Sequence, residues 1–321
     1  MVPTTRFTDP AAVDAWDRWF RWRNSDGLRD RTIDATWWRV ADTLAAVEGT
    51  QARTWAHRYV DAFSRWQLLP DERLLRMAGT DTGLRPFDSP GAALNVAAFV
   101  VAPLTRQARF DGVRFAGVAA LAVRLLDDAL VTMHGARPAL TDLRIGLIGM
   151  ADALHLLGMT YDETGAAEQS RDVGKVLATG TLQGSVELAN ERGPINDNPR
   201  HRVVLWRDRG IPEALIEDAL CRGIRHSRLT AIALQPHLAL LSNNASDALD
   251  PAPPRRPHGH GEASNASYAA SAVGAEAMLT AQLAIRAAIQ PWIDAPIDYP
   301  LGMGGEPDPQ TIASYTRLAG A

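Results

Sequence analysis

The chain has 321 residues, 46% of them hydrophobic, enough for one large domain or two ordinary ones with a sizeable core. Its 33 basic and 37 acidic residues leave a net charge of −4, so no nucleic-acid or membrane-surface partner is expected. One cysteine, Cys221, excludes an internal disulfide and an all-cysteine zinc site; with no apolar run of membrane-spanning length and no apolar signal core at the N-terminus, a cytoplasmic protein is expected.

From Pro10 to Gly79 the pattern predicts a helical layer. Trp16, Trp19, Phe20 and Arg23 fall on one face, and Trp37, Val40, Ala41, Leu44 and Val47 on another. Trp55, Tyr59, Phe63 and Trp66 recur at helical spacing. Seven of the nine tryptophans lie here; indoles can stack nucleobases, but this regular spacing is read as helix-on-helix core. Gly79, Gly83, Pro86, Pro90 and Gly91 then break the pattern into a junction. Ala92 to Val101 is a β-capable run, and a helix begins at Asp111 with Val113, Gly117, Leu121 and Leu125 at intervals of four. Near its end stand Asp127 and Asp128. Adjacent helical residues diverge by about 100°, so the two cannot converge on one metal or proton and are read as solvated or capping.

The stretch Arg144 to Pro194 opens with a short apolar segment, Ile145 to Met150, and passes into a helix with Ala151, Leu154 and Leu157 on one face. A second helix from about Ala166 stops at Gly193-Pro194. Pro199 to Trp206 has an exposed character. Pro212 to Arg222 is a helix carrying Cys221, which precedes a β-capable run, Arg228 to Leu234, and is read as an inert buried thiol. Gln235-Pro236-His237 leads into a long proline- and glycine-rich loop. Within it His258, His260 and Glu262 could hold zinc, copper or iron if the fold brings a third ligand, with His201, His226 and His237 as donors; a solvated connection explains them as well. Ala275 to Ile293 returns to helix, and a last short helix follows Pro309.

Arg144 to Pro194 resembles the large subunit of ribonucleotide reductase, where a string of the form R-x-I-G-L-x-x-M-x-x-A-D-x-L precedes S-x-E-L-A-x-E-x-G-P. Leu94 to Val100 looks like that family's N-L-A-x-F segment, and Gly223 to Ala233 is similar to its G-L-R-N-S-x-L-T-x-I-A strand. Asn244 to Pro251 is a weakened form of its S-S-G-I-E-P turn. Ala288 to Ile297 resembles A-x-Q-P-F-I-D-x-x-I-S, closest to the cobalamin-dependent class, as do Asp34 to Glu48 and Ala78-Gly79-Thr80.

The resemblance implies a helix-rich α/β fold: an N-terminal helical region, 1–80, and an incomplete reductase-like barrel, 81–321, joined as one compact unit. It also implies substrate-pocket residues at Asn95, Arg225, His226, Ser227, Gln235, His237 and Asn244, and adenosylcobalamin as cofactor by resemblance alone. Reduction of a ribonucleotide needs a thiyl radical and a redox cysteine pair. Where the family has a cysteine ahead of N-L-x-S-x-N-L, this chain has Ser89 to Asn95, and the stretch carrying N-x-C-x-E is absent between Thr82 and Ser89. The phosphate-cradling A-P-T-G-T-I-S turn is Ala233 to Ala239 here, with both hydroxyls gone and proline in place of an amide donor. Three readings follow: a non-reducing binding or subunit scaffold, an enzyme with new and metal-assisted chemistry in the remnant pocket, or one half of a split reductase. Removing strands from a closed barrel exposes edges, so a homo-oligomer or a complex with a second chain is expected. A small molecule or nucleotide remains a candidate ligand.

Overall fold

A computed structural model describes residues 2–136, 142–195, 199–251 and 275–301. The N-terminal layer begins with α1 (Pro10–Ala15), which has Pro in its first turn and Asp9 as its cap, and widens into a π turn over Trp16–Phe20. The chain then leaves the helix, so Arg23 lies in a two-residue strand, β1 (Arg23–Asn24), paired with β2 (Gly27–Leu28), rather than on a helical face. α2 (Ile33–Ala45) is capped by Thr32, and α3 (Ala52–Ser64) packs against it. Trp37, Tyr59 and Phe63 are fully buried between them, as their spacing predicts.

The layer is not wholly helical. β3 (Leu68–Pro70) precedes α4 (Glu72–Met77) and pairs antiparallel with β4 (Gly91–Asn95), so the sheet starts inside the N-terminal region. The Ala92–Val101 run divides: β4 ends at Asn95, a 3-10 turn follows, and β5 (Val100–Val101) pairs with β6 (Arg109–Phe110).

α5 (Gly112–His134), capped by Asp111, carries the chain to β7 (Asp142–Ile148), which runs parallel to β4 with Leu94 opposite Leu147. Gly149 (φ 71°) then turns the chain into α6 (Met150–Leu156), and α7 (Thr164–Arg192) ends at Gly193 (φ 88°). α8 (Val203–Asp208), α9 (Glu213–Arg222), β8 (Arg228–Thr230), α10 (Pro236–Leu241) and α11 (Ala275–Ile289) complete the described elements. The sheet order is β3-β4-β7-β8, an unclosed, barrel-like sheet flanked by helices.

α5 and α7 cross closely because Gly180 and Gly184 have no side chains: a Cβ on Gly184 would lie 2.9 Å from the Ala120 Cα and carbonyl oxygen. β8 covers three residues instead of the expected seven. Its outer edge is occupied by the chain itself: the Ala295 amide donates to the Thr230 carbonyl at 3.2 Å, and Asp294 accepts from the Leu229 amide at 2.9 Å. A loop thus covers an edge that a second subunit could otherwise have taken. Among the described residues, no helix is long and apolar enough to cross a membrane.

Candidate functional site

The candidate residues fall into three groups. At the C-terminal ends of β4 and β7, Asn95 donates from Nδ2 to Ser242 Oγ at 3.1 Å. Its buried Oδ1 has no hydrogen-bond partner among the described residues and lies against Gly149, where any Cβ would collide with it. Ser246 accepts from the Gly149 amide through its carbonyl at 2.7 Å and donates its own amide to Asp152 at 2.7 Å. Burial pushes Asp152 up against the pull of these Ser246 bonds. Asn244, at φ 58°, closes the turn by donating its amide to Leu240.

The second group is the turn into α10. The Gln235 amide donates to Asp247 Oδ1 at 2.7 Å, and the Gln235 side chain rests on Gly146. Burial raises Asp247 above the usual carboxylate range. Pro236 supplies no amide hydrogen. His237 turns toward the N-terminal layer: Nδ1 lies 2.8 Å from Glu72 Oε1, and the ring sits 4.0 Å from Trp19, leaving the residue's side chain 38% exposed.

The third group is a buried charge network, and it changes the reading of Asp127 and Asp128. Neither is solvated: their side chains are 1% and 0% exposed. The second half of α5 is buried on every side, between the N-terminal layer and α7, so two carboxylates about 100° apart each meet a separate wall. Asp127 accepts from Arg225 Nε at 3.0 Å and from Arg192, and lies 3.2 Å from His226 Nε2. Asp128 accepts from the Tyr59 hydroxyl at 2.6 Å and from Arg192 at 2.7 Å. Glu48 takes both Arg124 and Arg192, and Arg124 also reaches Glu191.

Burial would raise Asp127, but the His226 hydrogen bond and the Arg225 and Arg192 charges outweigh it and hold the carboxyl well below its usual range. For Asp128 burial dominates: it pushes the group up to about 7 against Arg192 and Tyr59, with Glu48 adding to the rise. Burial also lowers His226. The neutral ring then donates from Nε2 to Asp127 and accepts at Nδ1 from Ser185 Oγ at 3.1 Å. Arg225 and His226 therefore belong to one interior cluster. The Ser227 carbonyl accepts from Arg202 at 2.7 Å.

His258, His260 and Glu262 lie outside the described residues. Among the described residues no three His, Cys, Asp or Glu side chains gather as a metal site. Cys221 is exposed rather than buried, because α9 turns only Ile216 and Ala219 inward and Cys221 falls off that face. Sequence reasoning missed the network because each carboxylate was weighed on its own helix. Its one available signal was the placement of Asp127 and Asp128 between apolar residues, Leu125-Leu126 and Ala129-Leu130.

Residues 92–252 match the family model described as ribonucleotide reductase, barrel domain, and residues 6–83 match the one described as ribonucleotide reductase, all-alpha domain. No curated protein matches the chain.

Proposed function

The chain belongs to the ribonucleotide reductase large-subunit family, and from that premise we propose that it does not reduce nucleotides by itself and serves as a binding or subunit scaffold within a complex. The observation that carries this reading is the turn at 235–239. The amide that would face a substrate phosphate there, that of Gln235, is bonded to the Asp247 carboxylate, and Glu72 stands beside His237. With that amide committed, no amide hydrogen on Pro236 and no hydroxyl between Ala233 and Ala239, the turn offers a diphosphate no cradle. Where the resemblance puts a cysteine of the family stands Ser89, half-buried at φ 50° just ahead of β4.

Adenosylcobalamin supplies a radical that a protein thiol must receive. The donor set here does not fit: the single thiol, Cys221, is exposed on α9, which packs on α7 and α8. A second reading, chemistry of a new kind in the remnant pocket, draws support from one feature: Glu72 holds His237 Nδ1 at 2.8 Å, as a carboxylate orients a general base.

Copurification from a cell extract combined with light scattering distinguishes the two. A stoichiometric second chain or a homo-oligomer is expected from the scaffold. A monomer that copurifies with a tightly held metal would contradict the scaffold and favour the second reading.

A further inference from the structure

The segment 5–9 runs from the N-terminal layer across to the turn that follows α10, and its two ends are firmly held. At the start, the Thr5 amide donates to Asp34 Oδ1 at 3.1 Å, and the buried Thr5 Oγ1 accepts from Trp37 Nε1 at 3.0 Å. At the other end Asp9 caps α1. Between these anchors the fastenings lie at the surface. The Arg6 carbonyl accepts from Trp66 Nε1 at 3.0 Å and from Asn243 Nδ2 at 3.3 Å, and the Thr8 amide donates to Asn243 Oδ1 at 2.7 Å. The Asn243 carboxamide thus pairs with backbone on both sides of Phe7, whose ring sits 6.2 Å from Trp16 and 5.6 Å from Trp66.

Both clasping residues stand where the backbone favours glycine. Trp66 (φ 56°) closes α3: its amide donates to the Phe63 carbonyl and the next amide, of Gln67, to that of Ala62, a cap whose left-handed position is usually glycine. A bulky residue there strains the backbone, and such strain persists only where the surroundings enforce it. Here the side chain does so: the indole holds Arg6, packs on Phe7 and meets Trp37 edge-on at 5.8 Å. Asn243 (φ 56°) repeats the pattern with a residue type better suited to that conformation. Next to it, Ser242 Oγ accepts from Asn95 Nδ2 at 3.1 Å, and Ser246 bonds Gly149 and Asp152. The clasped turn is therefore the one joined to the C-terminal ends of β4 and β7.

We propose that residues 6–8 are a releasable strap that seats the 242–246 turn on Asn95 and Gly149. Thr5 and Asp9 are its hinges, and Trp66 and Asn243 are its clasp. With the clasp open the turn loosens, and the Asn95 carboxamide, whose Oδ1 has no partner among the described residues, is uncovered. The strap would control that end of the sheet in a scaffold and in an enzyme alike, so it stands apart from either reading of the pocket.

The test is hydrogen exchange of the full chain, resolved to the 242–246 turn, with α5 and α7 as internal references. Trp66→Gly suits its backbone position and removes the clasp on the N-terminal layer without touching the turn. Exchange at Asn244, Ala245 and Ser246, whose amides bond Leu240, Ala239 and Asp152, should quicken by about tenfold or more while α5 and α7 keep their protection. Asn243→Gly should do the same from the other side. Asn244→Gly, in the same turn and the same left-handed conformation (φ 58°) but outside the clasp, should leave exchange close to that of the parent. If Trp66→Gly loosens α5 and α7 as well, Phe7→Ala, which leaves α3 intact, decides in its place. Unchanged turn exchange in either clasp variant, or an Asn244→Gly effect as large as that of Asn243→Gly, would overturn the proposal.

Discussion

Two regions of this molecule carry dense polar chemistry, and they have opposite characters. The network around Asp127, Asp128 and Arg192 is sealed, and each of its charges has a partner on another element. It ties together the N-terminal layer, α5, α7 and the approach to β8. The turn around Gln235 and His237 is partly open, and its polar groups point at neighbouring carboxylates rather than at a preserved cradle. The difference teaches that the charges holding the helices to the sheet are interior and mutually paired, while those at the turn sit near the surface. A buried charge cannot be given up without its partner, whereas a surface turn can be rewritten at little cost to folding.

The contrast is broken most forcefully at Arg192. Arg192→Met leaves Asp127, Asp128 and Glu48 short of a cation in the interior, and a loss of about 3–5 kcal/mol in unfolding free energy is expected by urea denaturation. A change below about 1 kcal/mol would show that the network is not the lock described here.

Asp128 sharpens the contrast through pH. Its folded value of about 7 lies above the ordinary carboxylate value of 3.8, so between those limits the folded chain holds a proton that the unfolded chain has released. Its contribution therefore favours folding at low pH and fades as pH rises through that window, by an amount on the order of 2–4 kcal/mol. The depressed Asp127 acts in the opposite sense at lower pH, being lost as acid protonates it. Asp128→Asn should flatten the fall between about pH 4 and 7 in thermal melts across that range. An unchanged slope would assign the pH response elsewhere.

The smallest effect belongs to the open turn. His237→Ala removes a half-exposed hydrogen bond to Glu72 and a contact with Trp19, and unfolding free energy should move by about 0.5 kcal/mol or less, with a change in tryptophan emission as the visible sign. A loss comparable to that of Arg192→Met would erase the distinction between the two regions.

Much of the fold was legible in the sequence because its signals are local. The α5 and α7 helices, the Gly193 stop, and the burial of Trp37, Tyr59 and Phe63 follow from periodicity and capping. What was not legible depends on distant partners. The run from Arg228 to Leu234 has strand propensity throughout, but Asp294 and Ala295 occupy the edge of its first three residues and the rest turns away. Asp127 and Asp128 have the composition of a solvated pair, and only residues 64 to 99 positions away along the chain make them interior. Cys221 misled for the reverse reason: its residue type is most often buried, and its helical phase places it outside. Of the candidate site, the sequence named Gln235 and His237, while the carboxylates beside them, Asp247 and Glu72, required the fold.

The central claim is that this chain keeps the architecture of a reductase and not its reaction. It is tested most directly by an anaerobic assay of the purified chain with adenosylcobalamin, a dithiol and each of the four ribonucleotides as di- and triphosphates. The account predicts no deoxynucleotide above the protein-free background, with the Cys221→Ser variant indistinguishable from the parent. Turnover that disappears in the Cys221→Ser variant would contradict it.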